Sequence, residues 1–232
     1  MHSLFKKLLL HHPELQAEVA DLNGFVEPPR TYPPGAVIGR NRSVPGAVFV
    51  ISDGWVLASH YLANGASQVV DIRLPGDFLY DQGNLGSSVG LEYVAVTEVR
   101  LREFRLSTEA LLRATSIRLA SAMMAEVTRD RQVITQHLVN VGRRDPAVRT
   151  AHMLLELAVR AEKVGLGDAH RFRFPLTQSM LADALGMSAI HLNRVLRKLR
   201  ESKLVSFQNS MVTFEDFDAI TRFAGFERGY LE

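Results

Sequence analysis

Leu176–Val205 reads LTQSMLADALGMSAIHLNRVLRKLRESKLV. Thr177 is a suitable N-cap, because its hydroxyl can accept from an orphan backbone N–H of the first helical turn. Behind it Met180, Leu181, Ala184 and Leu185 recur at helical spacing and predict one apolar face. Gly186 supplies the backbone freedom of a sharp turn. Ser188 caps a second helix, with Leu192, Val195, Leu196 and Leu199 on its buried side. The other side carries Asn193, Arg194, Arg197, Lys198 and Arg200. Spacing alone also fits an amphipathic helical hairpin with a basic solvent face. Two short helices with a glycine at the corner, the second of them basic, have the form that places side chains in a DNA major groove.

Downstream, Leu204-Val-Ser-Phe and Met211-Val-Thr-Phe are β-prone runs separated by Gln208-Asn-Ser, a predicted hairpin. A helix-turn-helix followed by a hairpin is a winged helix. The pattern LTQ..LADALGMS...LNRVLRKLRE..LV resembles the DNA-binding domain of the CRP/FNR transcription regulators (cyclic AMP receptor protein / fumarate-nitrate regulator).

The remaining sequence is compatible with that resemblance along its whole length. From Pro28 to about Arg105, short apolar runs such as Ala47-Val-Phe-Val-Ile, Trp55-Val-Leu-Ala and Val69-Val-Asp-Ile are punctuated by Asp53-Gly54, Asn64-Gly65 and Pro75-Gly76. Strands with turns every 8–12 residues argue an antiparallel sandwich or barrel. Asp-Gly and Asn-Gly predict type I′ hairpins. The beats DG, NG and PGDF resemble the cyclic-nucleotide-binding-like jelly-roll sensor of the same family.

From Ile117 the positions Ile117, Ala120, Met124, Val127, Arg131, Ile134, Leu138 and Val141 step alternately by three and four. Such an a/d seam predicts a two-helix coiled coil, hence a dimer. A helix lying on its own sandwich could carry a similar stripe. Arg131 interrupts the seam, as a polar residue that fixes register can. Gly142 is expected to close this helix, Asp145 to cap the next and Pro146 to occupy its first position, so Gly142–Pro146 is a candidate hinge. The helix after it runs through Leu154, Leu155 and Leu157. Arg171-Phe-Arg-Phe alternates like a strand, and a last short helix is expected over Phe217, Ile220 and Phe223.

The expected fold class is therefore α+β. It comprises an N-terminal antiparallel β jelly roll, a long dimerisation helix over about residues 108–141, and a C-terminal winged helix-turn-helix. The domains are residues 1–142 and 143–232.

Composition narrows the function classes. The 232 residues contain no cysteine, which removes disulfides, thiolate metal sites and cysteine-held iron–sulfur clusters. The start, MHSLFKKLLLHHPELQ, reads as an amphipathic helix and not an export signal. With no run of about 18 apolar residues to span a membrane, a cytoplasmic location is expected. Residues 1–142 hold 13 Lys/Arg against 14 Asp/Glu, and residues 143–232 hold 14 against 11. The location of the cations is more informative than their excess: Arg194, Arg197, Lys198, Arg200 and Lys203 are opposed in that helix only by Glu201.

The resemblance implies roles residue by residue. Arg194 occupies the position of the family's guanine-binding arginine. Ala189 and Ile190 stand where an Arg-Glu or Val-Glu pair is common, so the carboxylate that would accept from a cytosine amine is missing. His191 and Asn193 could act as donors or adenine readers, and His191 could equally touch a phosphate. Thr177, Gln178, Arg197 and Lys198 are better placed for the DNA backbone, with Ser188 at the start of the reading helix.

In nucleotide-binding members a Gly-Glu pair follows PGDF and an arginine lies ten residues beyond that Glu. Here those positions hold Tyr80-Asp81 and Leu91-Glu92. Asp81, with Gln82 in the loop after it, could meet a ribose, but Leu91 cannot neutralise a phosphate and Glu92 would repel one. Cyclic AMP is therefore not expected, and the effector, if the protein has one, is an unknown small molecule. No metal site is expected.

A haem-based gas sensor is a lesser alternative, with His60 and His137 as the two candidate ligands; a ligand-independent dimeric regulator is another. No nucleophile–base, paired-carboxylate or phosphate-loop motif stands out, so an enzyme is not expected. The expected partners are double-stranded DNA, a second copy of the chain and RNA polymerase. Target genes and the choice between activation and repression are not legible.

Overall fold

The computed structural model describes residues 3–21, 26–38, 48–80, 90–104 and 116–232. Two short helices, α1 (Ser3–His11) and α2 (Gln16–Asp21), precede eight strands. These are β1 (Arg30–Tyr32), β2 (Val37–Ile38), β3 (Val48–Asp53), β4 (Val56–Tyr61), β5 (Ser67–Arg73), β6 (Phe78–Tyr80), β7 (Glu92–Ala95) and β8 (Val99–Phe104). They form two four-stranded sheets in the orders β1-β8-β3-β6 and β2-β7-β4-β5. The strand pairings with a defined register are antiparallel.

Strand alternation explains the layering. Phe49 and Ile51 of β3 point to one side and join Val56, Ala58, Leu79, Tyr93, Ala95, Val99 and Leu101, so both sheets contribute to one apolar core. Val50 points to the other side, where it meets Leu8, Leu15, Val19, Phe78, Leu119 and Ala122. The amphipathic start of the chain is thus a helix laid on the back of the β3 sheet.

The predicted type I′ turns at Asp53-Gly54 and Asn64-Gly65 do not form. In each pair only the glycine takes a positive φ, +91° at Gly54 and +84° at Gly65. Asp53 precedes a crossing from one sheet to the other, and its carboxylate accepts from Gly54 N at 2.9 Å. Asn64 likewise accepts from Ala66 N at 3.0 Å, so the Asx side chains shape these turns. Gly54 cannot be replaced by a larger residue without movement, because a Cβ there would collide with the Glu98 carbonyl.

The long helix α3 spans Ile117–Arg143. The expected start at about 108 falls outside the described residues. Its end also departs from expectation: Gly142 stays helical, and the break comes at Arg144, ahead of α4 (Pro146–Lys163). Asp145 occupies the N-cap position, but its side chain makes no capping bond, while Pro146 starts α4 as expected.

After α4 come β9 (Arg171–Arg173), α5 (Gln178–Ala184), α6 (Ala189–Glu201), β10 (Val205–Gln208), β11 (Met211–Phe214) and α7 (Phe217–Ala224). The β10–β11 pairing brings Gln208 opposite Met211 across Asn209 and Ser210, whose φ values are +51° and +57°. This is where the chain makes a two-residue turn with both central residues left-handed, the I′ pattern. β9 adds the third strand, antiparallel to β11. In α7, Ile220 is buried as expected, but Phe223 is exposed and Ala224 takes the inward position.

The chain divides into two compact units, residues 1–66 with 72–128, and residues 67–71 with 129–232. Both β5 and α3 pass from one unit into the other.

Candidate nucleic-acid interface

The site is built by α5, α6 and the turn between them. Thr177 accepts from Met180 N and Ser188 from His191 N, each at 3.2 Å, so both helices start on a side-chain cap. Gly186 adopts φ +59° at the corner, a conformation that costs most residues strain. Leu181, Ala184 and Leu185 of the first helix and Leu192, Val195, Leu196 and Leu199 of the second are buried, whereas Met180 is half-buried.

That burial fixes the outward face of α6. Ile190, His191, Asn193, Arg194, Arg197, Lys198 and Arg200 are all exposed, while Ala189 in the first turn is half-buried. Gln178, the first residue of α5, accepts from Asn193 Nδ2 at 2.7 Å, tying the start of α5 to the outer face of α6. Arg197 lies 3.7 Å from Glu201, but both are 68% exposed, so water screens the pair. The structure therefore brings the ten residues expected to meet DNA onto one helix pair. Thr177 and Ser188 serve first as caps, and the others apart from half-buried Ala189 project.

The expected effector residues are less gathered. Asp81 and Gln82 lie outside the described residues, and Tyr80 ends β6. Leu91 is half-buried against the sandwich core and Glu92 begins β7, so this stretch continues as strand. Among the described residues no three His, Asp or Glu side chains gather as a metal site, and no helix is long and apolar enough to cross a membrane. His60 lies one residue before the end of β4 and is half-buried. His137 uses both ring nitrogens, at 3.2 Å from the Val70 carbonyl and 2.9 Å from Glu156, so neither is open to a haem iron.

A buried polar network in residues 129–232 escaped the sequence reading. Glu156 of α4 is fully buried among leucines, accepting from His137, from Arg160 at 3.1 Å and from the Tyr230 hydroxyl at 3.0 Å. Burial alone would raise the Glu156 carboxyl, but the His137 charge and hydrogen bond, with Arg160, hold it down at about 2. Burial alone would likewise lower His137, but the Glu156 carboxylate outweighs it and holds the imidazole up at about 9. His152 has no such partner. Burial, with the Arg144 charge, depresses it to about 4, and neutral His152 accepts from Asn140 and stacks on Tyr230. The visible signal was an acid inside the apolar stripe of α4.

Residues 148–223 match the Crp-like helix-turn-helix domain family. The nitrogen fixation regulation protein FixK of Rhizobium meliloti is 28% identical over 180 residues, covering 78% of this chain and 79% of its own. Its namesake from Azorhizobium caulinodans is 26% identical over 194 residues, 81% of this chain and 77% of its own. The second half of the chain thus resembles a Crp-like helix-turn-helix domain, and most of its length resembles the FixK regulators. The solved structure of FixK2 from Bradyrhizobium japonicum superposes with a TM-score of 0.70 at 20% identity, covering 84% of this chain and 96% of that one. These comparisons support reading the helix pair as a DNA-binding module of a transcription regulator.

Proposed function

We propose that the protein is a homodimer that sets two α6 helices into successive major grooves of a palindromic site. The observation carrying this reading is the outer stripe of α3. Ile117, Ala120, Met124, Val127, Arg131, Ile134, Leu138 and Val141 are all exposed, with Ile117 at 87% and Leu138 at 73%. The opposite face buries Leu119, Ala122, Val133 and His137, so α3 already has its intramolecular partners. An apolar stripe left in water at a/d spacing calls for a second helix of the same kind. A C2 pair of reading helices then matches a two-fold symmetric site, with half-sites about one helical turn or a small multiple apart.

Within each half-site, Arg194 is the bidentate guanine reader and Asn193 an adenine reader, while Thr177, Gln178, Arg197 and Lys198 hold phosphates. Residues 1–142 act as the sensor and 143–232 as the DNA-binding domain. An effector other than cyclic AMP, held near Tyr80–Gln82 and Leu91–Glu92, shifts the helix pair through the Gly142–Pro146 segment. Such control requires different effector affinities in the two arrangements. The dimer works in the cytoplasm beside RNA polymerase.

Selection of bound duplexes from random DNA tests the reading. A two-fold symmetric motif bound by a sedimenting dimer supports it. A monomer, or a motif without symmetry, overturns it.

A further inference from the structure

We propose that Ile190 reads the C5-methyl group of a thymine, so that the half-site carries an A·T pair where its first turn meets the bases. This rests on the DNA-binding reading above and deepens it. Ile190 is 71% exposed in the first turn of α6. Within residues 143–232 the large apolar side chains left exposed are Ile190 and Phe223, and Ile190 is the more exposed of the two. Its neighbours along the helix explain why it is not core: Leu192, Val195, Leu196 and Leu199 fill the inward face, and Ile190 stands on the other side with Asn193, Arg194 and Arg197. Among the described residues it is left largely uncovered.

The chemistry of that face narrows the base. Of the four base pairs, A·T and T·A present a methyl group in the major groove, and apolar side chains recognise it by excluding water. A cytosine amine needs an acceptor, and α6 has no acidic residue in its first turn; its one carboxylate, Glu201, is the last residue of the helix. The amide pair beside Ile190 points the same way. Asn193 Nδ2 donates to Gln178 Oε1, which leaves the Asn193 carbonyl as an acceptor and the Gln178 amide nitrogen as a donor. Adenine offers the complementary set, a donor at N6 and an acceptor at N7.

The test uses the full-length dimer and the duplex that selection yields. Each thymine of one half-site is replaced in turn by uracil, which lacks only the methyl group. At one position the loss for the natural protein is expected to be about fourfold, the worth of one buried methyl-sized group. Ile190→Ala is expected to bind thymine and uracil duplexes alike at that position, and Ile190→Glu to shift selection there towards cytosine. Because the side chain is exposed, thermal melting of both variants should match the natural protein. If every thymine tolerates uracil, or if Ile190→Ala keeps the same methyl dependence, the inference is overturned while the regulator reading stands. If no condition yields a sequence motif at all, the DNA-binding reading falls and this inference with it.

Discussion

Two amphipathic helices of this protein are built inside out relative to each other. α6 buries its apolar face within the protomer and turns Asn193, Arg194, Arg197 and Lys198 to water. α3 turns Met124, Val127, Ile134 and Leu138 to water and buries Glu126, His137 and Asn140. The difference identifies the kind of partner each lacks. A solvated cationic face costs nothing to leave open and gains when it meets phosphate. A solvated apolar stripe loses free energy until another apolar surface covers it. On the proposed reading, one helix is complete and waits for DNA, and the other is half of a dimer interface.

The largest effect should come from destroying the apolar stripe. Replacing Ile134 and Leu138 together by Glu should yield monomers in sedimentation velocity. Affinity for a two-half-site duplex should fall by about 10²–10⁴-fold, because the second half-site loses its tethered partner. Both side chains are exposed in the protomer, so the monomer should keep its helical circular dichroism. A dimer that survives the double substitution would break the comparison, leaving α3 no different in kind from α6.

Next in size is the buried side of α3. Glu156→Gln removes the carboxylate shared by His137, Arg160 and Tyr230, leaving buried His137 without its hydrogen-bonded counter-charge while Arg160 keeps Asp71 at 3.4 Å. Breaking a buried pair this way costs about 3–5 kcal/mol, a large drop in melting temperature. The same cluster sets a pH dependence. His137 is raised from 6.5 to about 9, so its contribution is complete below pH 6.5 and fades as pH rises through 9. Glu156 is lowered from 4.5 to about 2, so its contribution is complete above 4.5 and fades as pH falls through 2. His152, lowered from 6.5 to about 4, costs stability as pH falls from 6.5 towards 4, because the unfolded chain takes the proton first. Urea midpoints for the natural protein should therefore peak near neutrality and decline on both sides. Glu156→Gln should abolish the alkaline decline.

These two faces were not equally legible. The exposed stripe of α3 follows from spacing within one helix, and the caps Thr177 and Ser188 from chemistry within three residues. The wing turn at Asn209-Ser210 was local as well. The buried network was not, because Asp71, His137, Glu156 and Tyr230 come together only on folding. His137 stood out as a possible axial ligand by its place on the long helix, and its partners Val70 and Glu156 become visible only in the fold. Gly142 misled for a related reason: glycine permits a helix end but does not compel one, and the break waited for Pro146, whose ring cannot continue α3. At Asp53-Gly54 the predicted hairpin failed because its flanking strands belong to different sheets.

On α6 the effects should be smaller and of another kind. Arg194→Ala should weaken specific binding by about 1–3 kcal/mol and relax preference at one base pair, with little change on random DNA. Lys198→Ala should instead weaken both alike and reduce the salt dependence by about one counterion. Equal losses for the two variants on both kinds of DNA would erase the distinction between reading and holding.

The smallest expected effect separates the helix itself from what it carries. Ser188→Ala removes the acceptor for His191 N and should cost about 1 kcal/mol of stability, whereas Ser188→Thr should restore most of it. Because the cap sits at the end of α6 that carries Ile190 and Asn193, fraying there moves the reading residues before it moves Arg200. Specific binding should therefore fall with Ser188→Ala while binding to random DNA, set by the later cations, holds. An unchanged ratio between the two would mean that the first turn is positioned by packing of Leu192 alone. The cap would then contribute stability without contributing to recognition.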